Sequence, residues 1–337
     1  MNINLLWPAR RWRDENQDEI QVAGDGVDCV FVERPDMVTD EQWGTCDAVI
    51  STPDPIAEPD MAKLSRCRIF ITPKVGFDNI DLAKYGRHGI PVCNVPDYGT
   101  QDVADHAMAL LLTLMKGIHR HDARLRKDPR GNWRATDQPL ARRLSVARIG
   151  IVGLGRIGTA FALRAKAFGM AVTFYDPYLT NGSDLALGID RVDSLEALFR
   201  QSDIVSLHVP LSDETRNLID ANVLGHAKPG LVLINAARGE VVDIDALFEA
   251  IVSGRIGGAG LDVLPEEPAN LDRPLIKAWR GDDPELADRI VITPHSAFYT
   301  PESAYDMRTK GITVALKYLR TGRLENCVNA EYLELRR

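Results

Sequence analysis

A glycine-rich turn restricts the fold of this chain more than any other feature of the sequence. Residues 148–176 read RIGIVGLGRIGTAFALRAKAFGMAVTFYD, and Gly153, Gly155 and Gly158 stand in the spacing GxGxxG. An apolar stretch typical of a buried strand precedes the turn, a helical pattern follows it, and the next apolar stretch ends on Asp176. Such glycines let the amides at a helix N-terminus approach a pyrophosphate, and an acid at this distance can accept hydrogen bonds from a ribose.

The turn therefore predicts a Rossmann domain that binds a dinucleotide, with the three glycines and Asp176 at the cofactor. Leu154, Arg156 and Ile157 complete the turn and are expected to contact the cofactor as well. Because the carboxylate of Asp176 would repel a 2′-phosphate, the sequence favours NAD over NADP. The alternative is a glycine turn that serves packing alone, which the acidic residue at the next strand end disfavours.

Short apolar stretches alternate with helical or polar segments along nearly the whole chain. With 337 residues, 45% of them hydrophobic and 26% charged, the chain has room for two domains of ordinary globular composition. Strands that alternate with helices indicate parallel sheets covered on both faces. We expect an α/β protein with two doubly wound parallel-sheet domains, Rossmann-like and flavodoxin-like, and a cleft between them. The predicted strands are INLLW, CVFVE, DAVIS, RIFIT and PVCNV, then ARIGIVG, MAVTFYD, DIVSLHV, GLVLINA, GGAGLDV and RIVITPH.

Residues 102–127 interrupt this alternation with a pattern that predicts one long helix, which Asp102 can cap. Its middle is apolar nearly all round, so it must be buried, in part against a second subunit. We therefore predict an NAD-binding domain over 102–295 that includes this helix as a dimerisation element. Residues 1–101 together with 296–337 form the predicted substrate domain, which is discontinuous, and a homodimer is the expected assembly.

The charge and the cysteine pattern exclude several classes of protein. A formal net charge of −8 makes nucleic acid an unlikely partner, and no apolar run is long enough to span a membrane. The five cysteines are scattered without a CxxC motif, which is typical of reduced thiols and predicts a cytoplasmic protein without a signal peptide. His106, His119 and His121 have no carboxylate or second histidine in ligand register, so no metal site is predicted.

Three charged segments follow predicted strands of the second series. LINAARGE ends a buried strand on Arg238, GLDVLPEEP carries Glu266 and Glu267, and ITPHSAFY carries His295. An arginine at the mouth of a buried strand is costly without an anionic partner. Loops at the carboxyl ends of parallel strands gather at one crevice, so these groups can face a nicotinamide. A histidine beside a carboxylate can act as the proton donor when a hydride reduces a carbonyl, and an arginine can polarise that carbonyl. Taken singly, each such residue is more often structural.

Longer motifs make the sequence resemble the NAD-dependent D-isomer-specific 2-hydroxyacid dehydrogenases over almost the whole chain. The segments VGLGRIG, LHVPLSDET, INAARGEVVD, GAGLDVLPEEP and ITPHSAFY carry the resemblance. GFDNIDL, VCNVPDYGTQDVADHA, ALRAKAFG, FYDPYL and NCVN resemble the C-terminal-binding-protein branch in particular.

The resemblance implies a role for each residue that matches the family's motifs. It makes Arg238 the substrate clamp, His295 the acid–base residue, and Glu267, rather than Glu266, the carboxylate that pairs with His295. It also places further residues at the cofactor, namely Val209, Pro210, Thr215, Ala236 and Asp262.

The family holds the substrate carboxylate with backbone amides of a loop, here matched by Val75 and Gly76. The C-terminal-binding-protein branch has an arginine shortly before this loop, where this chain has Thr72-Pro73-Lys74. Lys74 either supplies the missing positive charge or points to water. Phe298 replaces a tryptophan of that branch and is expected at the substrate, and with Phe77 and Tyr98 it suggests an apolar pocket wall.

The resemblance implies an NAD(H)-dependent oxidoreductase that interconverts a 2-oxo acid and a D-2-hydroxy acid. One alternative is an NADH-sensing corepressor or scaffold, as the C-terminal-binding-protein branch includes. The intact set of Arg238, Glu267 and His295 and the short tail after NCVN count against it. A second alternative is a phosphite-type dehydrogenase, because Lys74 lies in the substrate loop.

Overall fold

Two units, each built around its own parallel sheet, make up the computed structural model, which describes residues 2–9, 15–136, 138–282 and 284–334. The first unit comprises residues 1–99 and 299–337, and the second comprises residues 100–298. The sequence predicted the division at 101/102 and 295/296. Both sheets consist entirely of parallel strand pairs, so the expectation of two doubly wound α/β domains is confirmed.

The first unit begins with a flavodoxin-like arrangement. Its five strands pair in the order β2-β1-β3-β4-β5, in which the chain reverses direction across the sheet after β2. All five predicted strands of this series are present. They are β1 Ile3–Trp7, β2 Val27–Phe31, β3 Ala48–Ile50, β4 Ile69–Thr72 and β5 Val92–Asn94, with helices α1 Gln17–Ala23, α2 Asp40–Thr45 and α3 Leu82–Arg87 and 3-10 turns Pro35–Met37 and Glu58–Lys63.

The second unit opens with helices α4 Thr100–Lys116 and α5 Ile118–Lys127. The prediction of a single helix over 102–127 was wrong, because Gly117 adopts a left-handed φ of 61° between them. The helix also begins at Thr100, so Asp102 lies in its first turn and is not the cap. The apolar middle of α4 packs on the sheet of its own unit, against Val232 and Ile234 among others.

The seven strands of the second unit pair in the order β12-β11-β10-β9-β6-β7-β8, which is the Rossmann order with one added strand. The six predicted strands are present, and β8 was missed because it has only two residues. The strands are β6 Arg148–Val152, β7 Ala171–Tyr175, β8 Asp190–Arg191, β9 Ile204–Leu207, β10 Leu231–Asn235, β11 Ile256–Leu261 and β12 Ile290–Ile292.

Helices cover both faces of this sheet and connect its strands. The core beneath them is aliphatic, with Leu233, Ile234 and Ile256 fully buried in the middle of the sheet. The helices are α6 Arg156–Ala167, α7 Ser183–Leu187, α8 Leu195–Gln201, α9 Ala221–Gly225, α10 Ile244–Val252, α11 Pro274–Lys277 and α12 Pro284–Ala287, with 3-10 turns Leu144–Val146 and Gly239–Val241 and a π-turn Ala278–Asp282.

The chain then returns to the first unit. Helix α13, Pro301–Thr321, starts from a capping box in which Thr300 and Ser303 bond each other's backbone amides. Its apolar side, with Ile312, Ala315 and Leu316, packs into the core formed by β1, β3 and β4. Helix α14, Ala330–Glu334, ends the described chain and packs near Gly86, where an added Cβ would lie 2.3 Å from Cβ of Tyr332.

Candidate active site

The glycine turn after β6 is held in a conformation that only glycine fits. Gly153 has a φ of 86°, and a Cβ there would lie 2.7 Å from the carbonyl oxygen of His208. A Cβ on Gly158 would lie 2.1 Å from the carbonyl oxygen of Gly153, so the first turn of α6 can pack against the strand end only without a side chain. A Cβ on Gly155 would meet no atom within 4 Å, which leaves the N-terminus of α6 open to a ligand.

Asp176 lies beside this turn at the end of β7. Its Oδ2 accepts a hydrogen bond from the Leu154 amide at 2.9 Å, and its Oδ1 accepts one from the Tyr178 amide at 3.0 Å. The carboxylate is therefore oriented by the backbone and remains partly exposed. An oriented acid next to an open helix N-terminus fits the ribose and pyrophosphate of a dinucleotide.

The loop after β9 borders the glycine turn from the other side. Cγ1 of Val209 would lie 2.8 Å from a Cβ placed on Gly153. Thr215 Oγ1 donates to the Pro210 carbonyl at 2.7 Å and accepts from the Ser212 amide at 2.8 Å, so one hydroxyl closes the loop. Val209 thus lies at the turn, while Pro210 and Thr215 shape the loop that carries it.

His208 supports the turn, and the sequence analysis did not single it out. Its ring packs against the Phe161 ring, with the centroids 4.9 Å apart and the planes tilted by 42°, and its Nε2 lies 2.9 Å from Ser206 Oγ. Burial lowers the pKa of His208 to about 3, so the ring is neutral at physiological pH and cannot serve as an acid there. Its position directly after an apolar strand was the available signal for a core histidine.

Arg238 is presented by a tight turn at the end of β10. The side chain of Asn235 accepts from the Ala237 amide at 3.0 Å and donates to the Arg238 carbonyl at 2.9 Å, which fixes the turn. Ala236, at the start of this turn, is partly buried. A Cβ on Gly239 would lie 1.9 Å from the backbone carbon of Leu264. The glycine after the arginine therefore allows the loop that follows β10 to touch the loop that follows β11.

Glu267 and His295 are hydrogen-bonded, with Oε2 at 2.7 Å from Nδ1. Oε1 of Glu267 accepts from the Leu264 amide at 3.0 Å, so both carboxylate oxygens are held. Partial burial acts to raise the pKa of Glu267, but the hydrogen bonds from His295 and Leu264 and the charge of Arg238 outweigh it and lower that pKa. The neighbouring Glu266 instead pairs with Arg273 at 3.0 Å.

Asp262 anchors the segment that carries His295. Its Oδ1 accepts from Thr293 Oγ1 at 2.6 Å and from the Ser296 amide at 2.9 Å, and its Oδ2 accepts from the Ala297 amide at 2.9 Å. The amide of His295 donates to the Asp262 carbonyl at 2.8 Å and holds the residue at a left-handed φ of 51°. A non-glycine residue in that region signals a backbone held by its surroundings.

His106 and Thr293 belong to the same network, and neither was predicted as a site residue. Nε2 of His106 lies 2.9 Å from Thr293 Oγ1 and 3.4 Å from Asp262 Oδ1. The signal was weak, because the contact joins α4 to the segment after β12, far apart in sequence. Over the described ranges, no group of three or more histidine, cysteine, aspartate or glutamate side chains is arranged to hold a metal.

The predicted substrate loop lies in the first unit and is organised by β5. Asn94 Nδ2 donates to the Val75 carbonyl at 2.8 Å, and the Val95 amide donates to the Lys74 carbonyl at 3.2 Å. In the described part of the chain the amides of Val75 and Gly76 have no hydrogen-bond acceptor. Two free, adjacent amides can receive an anionic group.

Lys74 does not point only to water. Its Nζ donates to Asn79 Oδ1 at 2.6 Å, and Asn79 Nδ2 donates to the Thr52 carbonyl at 3.2 Å. Tyr98 packs against the core of the first unit, and Phe298 is partly buried in the second.

Comparison with known proteins identifies the origin of this arrangement. The family model described as "D-isomer specific 2-hydroxyacid dehydrogenase, NAD binding domain" matches residues 108–297. A glyoxylate reductase of Korarchaeum cryptofilum is 36% identical over 300 residues, which are 88% of this chain and 86% of that protein. The chain belongs to the D-isomer-specific 2-hydroxyacid dehydrogenases.

Solved structures of other proteins of this kind share the fold over the full length. A D-lactate dehydrogenase from Aquifex aeolicus, solved with NAD and lactic acid, is 30% identical with a TM-score of 0.78, covering 98% of this chain and 97% of its own. An NADPH-dependent glyoxylate/hydroxypyruvate reductase from Sinorhizobium meliloti is 27% identical with a TM-score of 0.84. The match covers 98% of this chain and 99% of that one.

The family match confirms the recognition made from the motifs at the level of the dehydrogenase family, and it supports NAD as the cofactor. The matched range contains the glycine turn, Asp176, Arg238, Glu267 and His295. Across the described ranges, no helix of this dehydrogenase is long and apolar enough to cross a membrane.

Proposed function

We propose that this dehydrogenase interconverts a 2-oxo acid and a D-2-hydroxy acid with NAD(H), using His295 and Glu267 as the acid–base pair and Arg238 as the substrate clamp. The observation that carries the proposal is the 2.7 Å contact between Glu267 Oε2 and His295 Nδ1. That contact leaves Nε2 of His295 for the substrate, and it lies in loops that also present Arg238.

In the direction of reduction, each residue has a separate task. NADH, when bound, supplies the hydride. His295 donates a proton from Nε2 to the carbonyl oxygen, while the Glu267 carboxylate stabilises the imidazolium and fixes the ring. The guanidinium of Arg238 polarises the carbonyl and holds the substrate carboxylate with its fork of donors. Oxidation runs through the same groups in reverse.

The residues around the glycine turn would hold the cofactor. The open N-terminus of α6 at Gly155 would take the pyrophosphate, and Asp176 would accept hydrogen bonds from the adenine ribose. Arg156, Leu154 and Ile157 complete this cradle, and Val209, Pro210, Thr215, Ala236 and Asp262 would line the nicotinamide half. The negative charge of Asp176 favours NAD, although one of the similar proteins is NADPH-dependent.

The substrate loop would complete the site. We propose that the free amides of Val75 and Gly76 receive the carboxylate of the substrate, with Lys74 adding positive charge beside them. The bond from Lys74 Nζ to Asn79 supports this proposal because it keeps the ammonium within the loop. Phe298 would contact the substrate's side chain.

A homodimer and a cytoplasmic location are also part of the proposal. Ile118, Trp133 and Val146 are large apolar residues of the second unit with exposed fractions of 60%, 78% and 72%. Exposed apolar groups of this size favour coverage by a second copy, which light scattering after gel filtration would detect. The free thiols favour a reducing compartment.

A steady-state assay against a panel of 2-oxo acids, including glyoxylate, hydroxypyruvate and pyruvate, tests the proposal with NADH and with NADPH. We expect turnover of at least one 2-oxo acid, and a His295→Ala variant that binds NADH but does not turn over. Tight NADH binding without turnover would instead support the corepressor alternative. Oxidation of phosphite with no reduction of any oxo acid would support the phosphite-type alternative. Membership of the C-terminal-binding-protein branch remains a prediction from the motifs.

A further inference from the structure

Four of the five cysteines lie in two contacting pairs, both in the first unit. Cys93 and Cys327 stand opposite each other in an antiparallel β-bridge, and the thiols of Cys46 and Cys67 lie close enough to influence each other's pKa. Cys46 and Cys67 are both buried, whereas Cys327 is partly exposed and its partner Cys93 is fully buried. Of the two pairs, only Cys93 and Cys327 combine a thiol that solvent can reach with a second, buried thiol opposite it.

The backbone around Cys93 and Cys327 sets their separation. Residues 326–328 run antiparallel to the edge strand β5. The Asn94 amide donates to the Asn326 carbonyl at 3.2 Å, and the Val328 amide donates to the Val92 carbonyl at 2.8 Å. These bonds flank the two cysteines, which makes them a non-hydrogen-bonded pair with a Cα–Cα distance of about 4.5 Å. Disulfides form at Cα–Cα distances of about 4.4–6.8 Å, so the backbone already permits a bond.

A buried asparagine keeps this register. Asn329 is fully buried, accepts from the Val92 amide at 2.8 Å and donates to the Ile90 carbonyl at 3.1 Å. The segment after Cys327 is thereby held against the edge of the sheet, and the two thiols remain opposite each other.

The chemistry of Cys327 suits the attacking role. The hydrogen bond from the Cys93 thiol lowers the pKa of Cys327 to about 6, against the effect of partial burial, and backbone groups at Asn329 and Val92 act in the same direction. A lowered pKa favours the thiolate, which is the nucleophilic form of cysteine. Burial raises the pKa of Cys29, the other partly exposed cysteine, to about 11, so that thiol is unreactive.

We propose that Cys93 and Cys327 form a thiol–disulfide exchange site for low-molecular-weight disulfides such as oxidised glutathione. The Cys327 thiolate attacks one sulfur of the external disulfide, breaks its S–S bond and releases one thiolate. The Cys93 thiol then loses its proton and attacks the sulfur of Cys327 in the mixed disulfide, which releases the second external thiol. Two protein thiols are oxidised to one disulfide, and one external disulfide is reduced to two thiols.

The disulfide would act on the substrate loop, a consequence that rests on the proposed function. Asn94 and Val95 follow Cys93 directly and hold the carbonyls of Val75 and Lys74. The spacing of about 4.5 Å lies at the short end of the disulfide range, whose usual Cα–Cα distance is about 5.5–6 Å, so forming the S–S bond moves β5 at Cys93 away from Cys327. Weakening one such hydrogen bond predicts a rise in KM for the oxo acid of about threefold to tenfold.

The test uses the whole purified protein, titrated with mixtures of oxidised and reduced glutathione and mapped by mass spectrometry of non-reduced peptides. We expect one cross-linked peptide pair that contains Cys93 and Cys327, reversed by dithiothreitol. Cys327→Ser should abolish it, and the matched control Cys29→Ser should retain it. A glutathione adduct that persists on Cys327 with Cys93 reduced, or no oxidation at this pair, overturns the proposal.

Kinetics of the oxidised and reduced protein then test the link to the substrate loop. The KM for the oxo acid should rise on oxidation and return on reduction, and it should stay constant in Cys327→Ser. A cross-link without a change in KM overturns the link. Failure of the proposed function is seen separately, as absence of turnover in the reduced protein, and the mass measurement does not depend on it.

Discussion

Replacing Glu267 with glutamine removes one charge from the acid–base pair and keeps the size of the side chain. The amide oxygen of the new side chain can still accept from the Leu264 amide, as Oε1 does at 3.0 Å. The amide NH2 group then faces Nδ1 of His295, where a carboxylate oxygen lies at 2.7 Å in the native protein. Because an NH2 group cannot accept a hydrogen bond, the variant removes both the charge and the hydrogen bond to a protonated Nδ1.

The size of the effect follows from the exposure of the two side chains. The side chains of His295 and Glu267 are 44% and 39% exposed, so solvent screens their interaction. The interaction energy of the two charges therefore lies near its value in water. Two unit charges about 4 Å apart interact by about 1 kcal/mol in water and by more where water is partly excluded. We therefore expect an interaction energy of about 1.4 kcal/mol for this pair. That free energy corresponds to a change of about tenfold in rate.

The rate of reduction measures this loss. Proton donation by His295 depends on the carboxylate that stabilises the imidazolium, so kcat/KM for the oxo acid should fall about tenfold in Glu267→Gln. Glu266→Gln is the matched control, because Glu266 pairs with Arg273 and not with His295.

The ionisation of Glu267 also affects the stability of the folded protein. The pKa of Glu267 is lowered in the folded protein, so the pair contributes to stability above the ordinary carboxyl pKa and that contribution is lost as the pH falls through the lowered value. Glu267 should therefore stay ionised over the whole assay range. A kcat/KM of Glu267→Gln equal to that of the native enzyme would refute the role of Glu267 as the partner of His295.

Three further substitutions test other parts of the site. Gly158→Ala places a Cβ 2.1 Å from the Gly153 carbonyl oxygen, so NADH binding measured by fluorescence should weaken at least about tenfold. The control is Gly225→Ala, which should bind NADH normally because a Cβ there meets no atom within 4 Å. Asp176→Asn removes the charge that opposes a 2′-phosphate, so the ratio of kcat/KM for NADPH to NADH should rise about tenfold, and an unchanged ratio would contradict the assignment. Asp262→Asn leaves the segment with the catalytic histidine without its charged anchor, so kcat should fall about tenfold or more while circular dichroism shows a folded protein.

Much of the fold followed from local patterns. The strands were predicted because apolar stretches of four to six residues between turn signals depend on near neighbours in the chain alone. The glycine turn and Asp176 could be placed because the spacing of the glycines reflects one continuous strand–turn–helix unit. Family motifs around Arg238, Glu267 and His295 carried the expected chemistry, since the carboxyl ends of parallel strands share one edge of a sheet.

Other features depend on contacts between distant residues and had no local signal. The left-handed Gly117 divides a pattern that is continuous in apolar residues. Gln138, distant in the chain, packs at this break, where its Nε2 donates to the Leu114 carbonyl at 2.5 Å and a Cβ on Gly117 would lie 2.6 Å from its side chain. Asp262 was expected only at the cofactor, yet four donors from residues 293–297, three of them to its carboxylate, use it to anchor His295.

The pairing of the cysteines also depends on contacts between residues that are far apart in the chain. Their spacing in the sequence predicts scattered, independent thiols, because nothing local relates position 93 to position 327. Antiparallel pairing of the C-terminal segment with β5 brings Cys93 and Cys327 opposite each other. Periodicity and turn chemistry act over a few residues, so they determine elements and motifs, whereas the pairing of side chains across elements depends on how those elements pack.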